Sequence, residues 1–368
     1  MVTKFRYLIG VLIVLISLLF SSIIYINYKL NSINRFEESA TPKKEIFVPT
    51  DNSNKIFLIF STGSKGLSED DGDRLKIGKG RARMADGLTD SIMLVLLNNN
   101  NKNIGIISIN RDMLVESTQR RINEAYNKGG IEEFKKQIFE LTGLEIDHEI
   151  GINFAAFSDL TDALGGFRLY LENGAYDSYS KLYIENGGCT NFDGPLALSF
   201  ARSRHWQIIR SDGTYSADAT SSDYGRIERQ QAIVRALTKK ILEGNIVSKI
   251  PILLNVAKNN LTLDSDLTLT KMINFANSYK NGINNIYAST LPSNGVMLNG
   301  ASVTLPDQLG IYMVINKLAK KLDFNLPQDW VGYNYIENTD VSQNQSEISN
   351  SWKPDHGDGK GGEKYPTC

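Results

Sequence analysis

The 368-residue chain carries 40 Lys and Arg against 41 Asp and Glu, with three histidines and two cysteines. That length accommodates a buried core and excludes disorder throughout; the balanced charge excludes a protein that coats nucleic acid by charge alone, so any anion site must be local. His148, His205, His356, Cys189 and Cys368 stand at no zinc-ligand spacing, so a metal would be held by oxygen.

After a six-residue head, Tyr7 to Tyr28 reads YLIGVLIVLISLLFSSIIYINY, 22 residues without a charge. This is enough to cross a hydrocarbon core of roughly 30 Å as a helix. Ile23, Ile24, Tyr25 and Ile26 stand where a signal peptide would need small residues for cleavage, so the segment reads as a retained anchor. Lys4 and Arg6 before it and Lys29, Arg35, Lys43 and Lys44 after it do not orient the span by themselves; the short head favours a cytoplasmic N-terminus. Residues 29–54 read as a stalk without a hydrophobic face, residues 55–335 as the folded domain, and residues 336–368 as a flexible polar tail.

Within the domain, Ile56–Ser61, Ser91–Leu97 and Ile104–Ile109 are short apolar runs bounded by polar clusters, as expected of buried strands in a central sheet. Residues 131–141 set Ile131, Phe134, Ile138 and Leu141 on one helical face and stop at Gly143. Helices are predicted over Phe154–Leu164, Pro195–Ala201 and Asp223–Leu242, the last opened by Ser222 and Asp223 as cap candidates. A strand is predicted over Phe167–Leu171. Two or three helices and a strand at Asn285–Ser289 follow between Pro251 and about Leu326. Strands alternating with helices, without an internal repeat or a second linker, give one α/β domain.

Six arginines, Arg202, Arg204, Arg210, Arg226, Arg229 and Arg235, fall in one stretch without a lysine, although the chain has 25 Lys and 15 Arg. A guanidinium presents a planar fork that matches phosphate or carboxylate oxygens and keeps its charge when desolvated. The bland alternative is a solvated helix face, with Arg229 and Arg235 paired to acids such as Glu228. Arg202 and Arg204 lie just beyond a predicted helix, while Asp223-Tyr224-Gly225-Arg226 opens another whose free N–H groups favour an anion. Arg226, Arg229 and Gln230 share one helical side. Arg111 and Asp112 end an apolar strand, where open α/β sheets place ligand groups; a structural salt bridge is the competing reading. Asp90 opens the neighbouring strand and is either a turn cap or a contact for Mg²⁺.

The runs GLTDSIMLV, IISINRDMLV, RINEAYNKGG, LTGLEIDHEIGINFAAFSDLTDALGG, FDGPLALSFARSRH and DYGRIERQQAIVRAL follow one another along residues 87–237. Together they resemble the LytR-CpsA-Psr family over about residues 55–325. The resemblance implies a single domain with a central mixed sheet flanked by helices. It also implies a membrane-anchored phosphotransferase whose domain lies outside the plasma membrane. Such an enzyme moves a glycopolymer, with Mg²⁺, from a polyprenyl pyrophosphate carrier to peptidoglycan or a similar acceptor, and no nucleic acid is involved. By the same resemblance Asp90 is the metal aspartate, Arg111 and Asp112 the strand-end pair, and Arg202 and Arg204 the paired arginines. Arg226 and Gln230 complete the clasp on the pyrophosphate, with the lipid in an apolar pocket.

Two positions depart from the family pattern. Thr62 stands where a second metal aspartate is common, so by the resemblance it is the second metal contact beside Asp90, its hydroxyl a weaker ligand, and Leu88 stands where an arginine is common. Either Asp70, Asp71 or Asp73 enters from the loop, or the metal is held differently, or activity has decayed; the intact remaining positions favour a working variant. Two other readings follow from a weakened metal shell or a missing acceptor: a binding module for polyprenyl-linked saccharide, and a polyprenyl pyrophosphate pyrophosphatase. Asp112 is read as an arginine holder before a base, and His148 as structural. No Walker A loop and no G-x-S-x-G run occur. In an oxidising exterior Cys189 and Cys368 could pair and tie the tail to the domain, although sequence gives no distance between them.

Overall fold

The computed structural model describes residues 28, 33–36, 54–63, 88–210, 212–218, 221–243, 251, 253–256, 261–279, 286–332 and 364–368. The expected anchor lies outside this set except for Tyr28, and no helix among the described residues is long and apolar enough to cross a membrane.

Seven strands form a mixed central sheet. Their order is β1 (Asn34–Arg35), β14 (Leu261–Leu263), β7 (His148–Ile152), β2 (Lys55–Ser61), β3 (Ile92–Leu97), β4 (Ile104–Ile109) and β15 (Ile286–Thr290). β3 runs antiparallel between β2 and β4, whereas β2 with β7 and β4 with β15 are parallel. All six residues of β4 are buried, which explains its unbroken apolar sequence.

Helices α1 (Ala125–Thr142) and α6 (Gln308–Leu322) cover one face, where Phe134, Ile138, Ile315 and Leu318 pack on Leu58, Phe60 and Leu94. The other face meets α4 (Asp223–Leu242) through Met93, Ile106 and Val234, and α5 (Leu269–Tyr279) through Phe57, Leu263 and Phe275. α1 starts before the predicted residue 131 because a kink at Gly130, with φ 70°, interrupts its periodicity.

A second core lies beside the sheet. Helices α2 (Phe154–Ala163) and α3 (Gly194–Arg202) pack together next to a ribbon of β8 (Phe167–Leu171) and β11 (Gly188–Phe192). A four-stranded sheet adjoins it, in the order β10 (Leu182–Ile184), β9 (Gly174–Asp177), β12 (Gln207–Ile209) and β13 (Tyr215–Ala217). Among the described residues there are also two hairpins: β5 (Leu114–Val115) with β6 (Arg120–Arg121), and β16 (Ser293–Leu298) with β17 (Ala301–Pro306).

Both polar flanks contain segments that the sequence reading left unpacked. In the expected stalk, Ile33 is buried, Phe36 stacks on Phe60 with centroids 5.8 Å apart, and Arg35 Nη1 donates to the Asp264 carbonyl at 2.6 Å. Two apolar side chains around a short edge strand suffice to dock it. At the other end, Cys368 forms a disulfide with Cys189, Thr367 bridges to Leu169, and Tyr365 is buried in the second core beside Phe200 and Trp206. The last five residues of the expected flexible tail are therefore held.

Candidate active site

The carboxyl ends of β2, β4 and β7 and the amino end of β3 share one edge of the central sheet, as the pairs Phe60–Ile92, Ile92–Ile109 and Ser61–Ile152 require. Open α/β sheets place ligands outside such ends. There a cavity of about 350 Å³ opens between the sheet, α2, α3 and α4. Its lining divides chemically. Phe60, Met93, Phe154, Leu198 and Ile233 supply apolar surface, while Asp90, Arg111, Arg202, Arg204, Arg226 and Gln230 supply charge and hydrogen bonds.

Each charged group is set by its local fold. After β4, Asn110 Oδ1 accepts from the Asp112 amide at 3.0 Å, a turn that brings Arg111 into an ion pair with Asp90. α3 is capped by Asp193, which accepts from the Leu196 amide at 2.9 Å. It lies so close to α2 that a Cβ on Gly194 would stand 2.3 Å from the Ser158 carbonyl oxygen. The approach fixes the end of α3, where the Arg202 guanidinium lies 5.1 Å from the Phe154 ring centroid. Just beyond, Asp177 Oδ2 accepts from Ser203 Oγ at 2.7 Å and from the amides of Arg204 and His205 at 3.0 and 2.9 Å.

Ser222 caps α4, as expected, by accepting from the Gly225 amide at 3.1 Å. Asp223 instead joins two arginines: Oδ1 is 3.0 Å from Arg204 Nε and Oδ2 is 3.0 Å from Arg226 Nη2. The end of one helix and the start of another thus converge on one cavity.

Burial opposes the charge on Arg111, but Asp90, Asp112 and Asp223 outweigh it and raise the guanidinium above its ordinary value. Burial lowers Arg226 to about 10 against the pull of Asp223, leaving it charged at neutral pH. Arg226 is 3% exposed, and both its Nε and that of Arg111 are buried without a hydrogen-bond partner.

Six expected residues therefore meet at the cavity: Asp90, Arg111, Arg202, Arg204, Arg226 and Gln230. The Gln230 amide nitrogen donates to the Ala201 carbonyl at 3.1 Å and so ties α4 to α3. Asp112 stands outside the lining, 3.7 Å from Arg111 Nε, 3.9 Å from Arg121 Nη1 and 3.8 Å from Arg204 Nη2. That is the arrangement of an arginine holder. Thr62 is buried outside the lining, which Ser61 reaches instead; Leu88 is exposed, and Asp70, Asp71 and Asp73 lie outside the described residues.

Arg229 departs from both sequence readings. It is fully buried, its guanidinium 4.8 Å from the Trp206 ring centroid, and it serves the second core rather than the cavity or solvent. His148 is buried with Nδ1 2.6 Å from Asp264 Oδ2, away from the lining. Sequence reasoning missed the roles of Asp177, Asp223 and Arg121. The one acid in the first turn of α4 was a signal for Asp223, although it was read as a cap.

A family model described as the LytR_cpsA_psr family matches residues 22–320. A polyisoprenyl-teichoic acid–peptidoglycan teichoic acid transferase of Enterococcus faecalis is 25% identical over 245 residues, covering 66% of this chain and 75% of its own. Two crystal structures share the fold. A LytR-Csp2A-Psr enzyme from Actinomyces oris has a TM-score of 0.56 at 21% identity, covering 79% of this chain and 94% of its own. Bacillus subtilis TagV also has a TM-score of 0.56, at 22% identity, covering 75% of this chain and 99% of its own.

Proposed function

The chain belongs to the LytR-CpsA-Psr family, and we propose that its cavity transfers a glycopolymer, as a saccharide phosphate, from a polyprenyl pyrophosphate carrier to peptidoglycan or a similar envelope acceptor. It is a glycopolymer transferase, as the named teichoic acid transferases among its relatives support. The observation that carries the assignment to this cavity is the convergence of Arg111, Arg202, Arg204 and Arg226 beside Asp90 at one end of a lining that also offers the apolar surface of Phe60, Met93, Phe154, Leu198 and Ile233.

In the reaction an acceptor hydroxyl oxygen attacks the saccharide-bearing phosphorus, the bond from that phosphorus to the bridging oxygen breaks, and polyprenyl phosphate leaves. The hydroxyl proton passes to solvent or to a carboxylate at the site. Such transfer depends on in-line placement and charge neutralisation more than on covalent chemistry. Arg111, Arg202, Arg204 and Arg226 supply that charge; Asp112 and Asp223 hold the forks in place, and the apolar lining accepts the first isoprene units.

Asp90 is the one carboxylate in the lining, and no group of three or more metal-ligating side chains occurs among the described residues. This donor set fits Mg²⁺ held largely by phosphate oxygens and water with one protein carboxylate. The ion, when bound, would neutralise diphosphate charge. Residues 7–28 would hold the protein in the plasma membrane by a single span, with a cytoplasmic N-terminus and the domain outside; their length and lack of charge support this reading.

The test is incubation of the full chain with a short-chain polyprenyl pyrophosphate saccharide and a peptidoglycan oligomer, with and without Mg²⁺, followed by mass spectrometry. A saccharide-phosphate adduct that needs both Mg²⁺ and Arg111 is the expected product. Carrier bound but unchanged with every acceptor tried would refute transfer.

A further inference from the structure

The four-stranded sheet beside the cavity has one face in the second core, where Ala175, Leu182 and Ile184 are buried. On its other face, among the described residues, Tyr183, Tyr215 and Ala217 are exposed and Tyr176, Gln207 and Ile209 are partly exposed. Tyr183 pairs with Tyr176, Tyr176 with Gln207, and Gln207 with Ala217, so these four residues form one row across the sheet. Tyr215, two residues before Ala217, projects from the same face. Tyr183 is 56% and Tyr215 50% exposed, and the rings of Tyr176 and Tyr215 are 5.0 Å apart.

One end of this sheet reaches the cavity. Tyr179 follows β9 and His205 precedes β12 at the same end of the sheet. Their rings lie 4.3 Å apart and both line the cavity. The turn is fixed by Asp177, whose Oδ1 accepts from the Tyr179 amide at 2.9 Å. The row of Tyr183, Tyr176 and Gln207 is the one nearest this end.

Exposed tyrosines in a patch are costly to leave in water and mark an interaction surface. A tyrosine offers an apolar ring to the C–H face of a sugar and a hydroxyl to its edge. The outward side chains within the four strands are Tyr176, Tyr183, Gln207, Ile209, Tyr215 and Ala217, none of them charged, and the exposed residues that flank β10, Lys181 and Glu185, are opposite in charge, so the face has no net positive charge. An anionic glycopolymer would call for arginine or lysine there, whereas an uncharged glycan strand would not. The donor is already anchored by its pyrophosphate; the acceptor has no comparable charged anchor and needs a surface.

We propose that this tyrosine face is the acceptor subsite, on which the pyranose rings of a peptidoglycan glycan strand stack while Gln207 bonds their hydroxyl or N-acetyl groups. The assignment to the acceptor rests on the transferase reading above.

The test is calorimetric titration of the full chain in detergent with an N-acetylglucosamine tetramer, and separately with farnesyl pyrophosphate as a probe of the arginines. The double variant Tyr183→Ala/Tyr215→Ala is expected to bind the tetramer about tenfold more weakly, and Tyr183→Phe/Tyr215→Phe less than about threefold more weakly. Farnesyl pyrophosphate affinity stays within about twofold in both, because the arginines are untouched. Tetramer binding that is absent in the parent, or unchanged in the alanine variant, overturns the proposal. So does an equal loss of both ligands. If the parent shows no transfer activity but the tyrosine-dependent binding persists, the transferase reading fails and the glycan subsite stands.

Discussion

The Oδ2 atom of Asp177 accepts the backbone amide of Arg204 at 3.0 Å, so a carboxylate on the small sheet places a guanidinium in the cavity. Burial pushes the Asp177 carboxyl up, but hydrogen bonds from Ser203, His205, Ser180 and Tyr179 outweigh it and hold the group below its ordinary range. A depressed folded-state value gives stabilisation that is present above the unfolded value of about 3.9 and lost as pH falls through the folded one. Urea unfolding of the parent should therefore weaken below about pH 4. Asp177→Asn should cost about 1–3 kcal/mol at neutral pH and flatten that acid limb.

Asp223 holds Arg204 and Arg226 at once. Removing it as Asp223→Ala leaves both guanidinium groups without that shared partner. Turnover at saturating carrier is expected to fall about 10- to 100-fold, from a loss of about 1.5–3 kcal/mol. Asp223→Asn, which keeps an acceptor oxygen, should fall between. Unchanged turnover in the alanine variant would show that the arginines hold their positions without it.

Arg111→Lys keeps the charge beside Asp90 but loses the planar fork. A drop of about 100-fold in kcat/KM is expected, with carrier affinity less affected because three arginines remain in the lining. Rates equal to the parent would reduce Arg111 to a point charge.

Asp90→Ala addresses the metal. Half-maximal activity should require about tenfold or more Mg²⁺ if one carboxylate is lost from the ion's shell. A Mg²⁺ titration that superimposes on the parent's would remove Asp90 from the metal site.

The Cys189–Cys368 disulfide joins residues separated by 179 positions. Cys368→Ser should cost about 2–5 kcal/mol, which corresponds to a Tm lowered by roughly 5–15 °C. Scanning calorimetry of the variant measures it, and an unchanged Tm would show that the packing of Tyr365 alone holds the tail.

How much of this was legible depended on the range of the signal. β2, β3 and β4 are apolar runs with polar borders, and α4 carries its cap, face and length within twenty residues, so local pattern sufficed for each. The arginines stood out because lysine is absent around them. β7 was hidden because His148 and Glu149 look like surface residues, whereas Asp264, from far along the chain, and Lys135, from helix α1, partner them. The short strands β9, β12 and β13 have three or four residues each and exist by pairing with one another. Asp177 was silent for the same reason: the partners through which it sets Arg204 lie 26 to 28 residues away.

The docking of Asn34 and Arg35 against β14 also sets a leash. Asn34 lies six positions beyond Tyr28, the end of the apolar run, and a chain of that length reaches at most about 20 Å. If the run is seated in the bilayer, the edge of the central sheet stays close to the headgroups. A carrier lipid in the same leaflet then meets the enzyme by lateral diffusion. Capture becomes a two-dimensional search at high effective concentration, in which weak affinity for each lipid is enough and release of the spent lipid is fast.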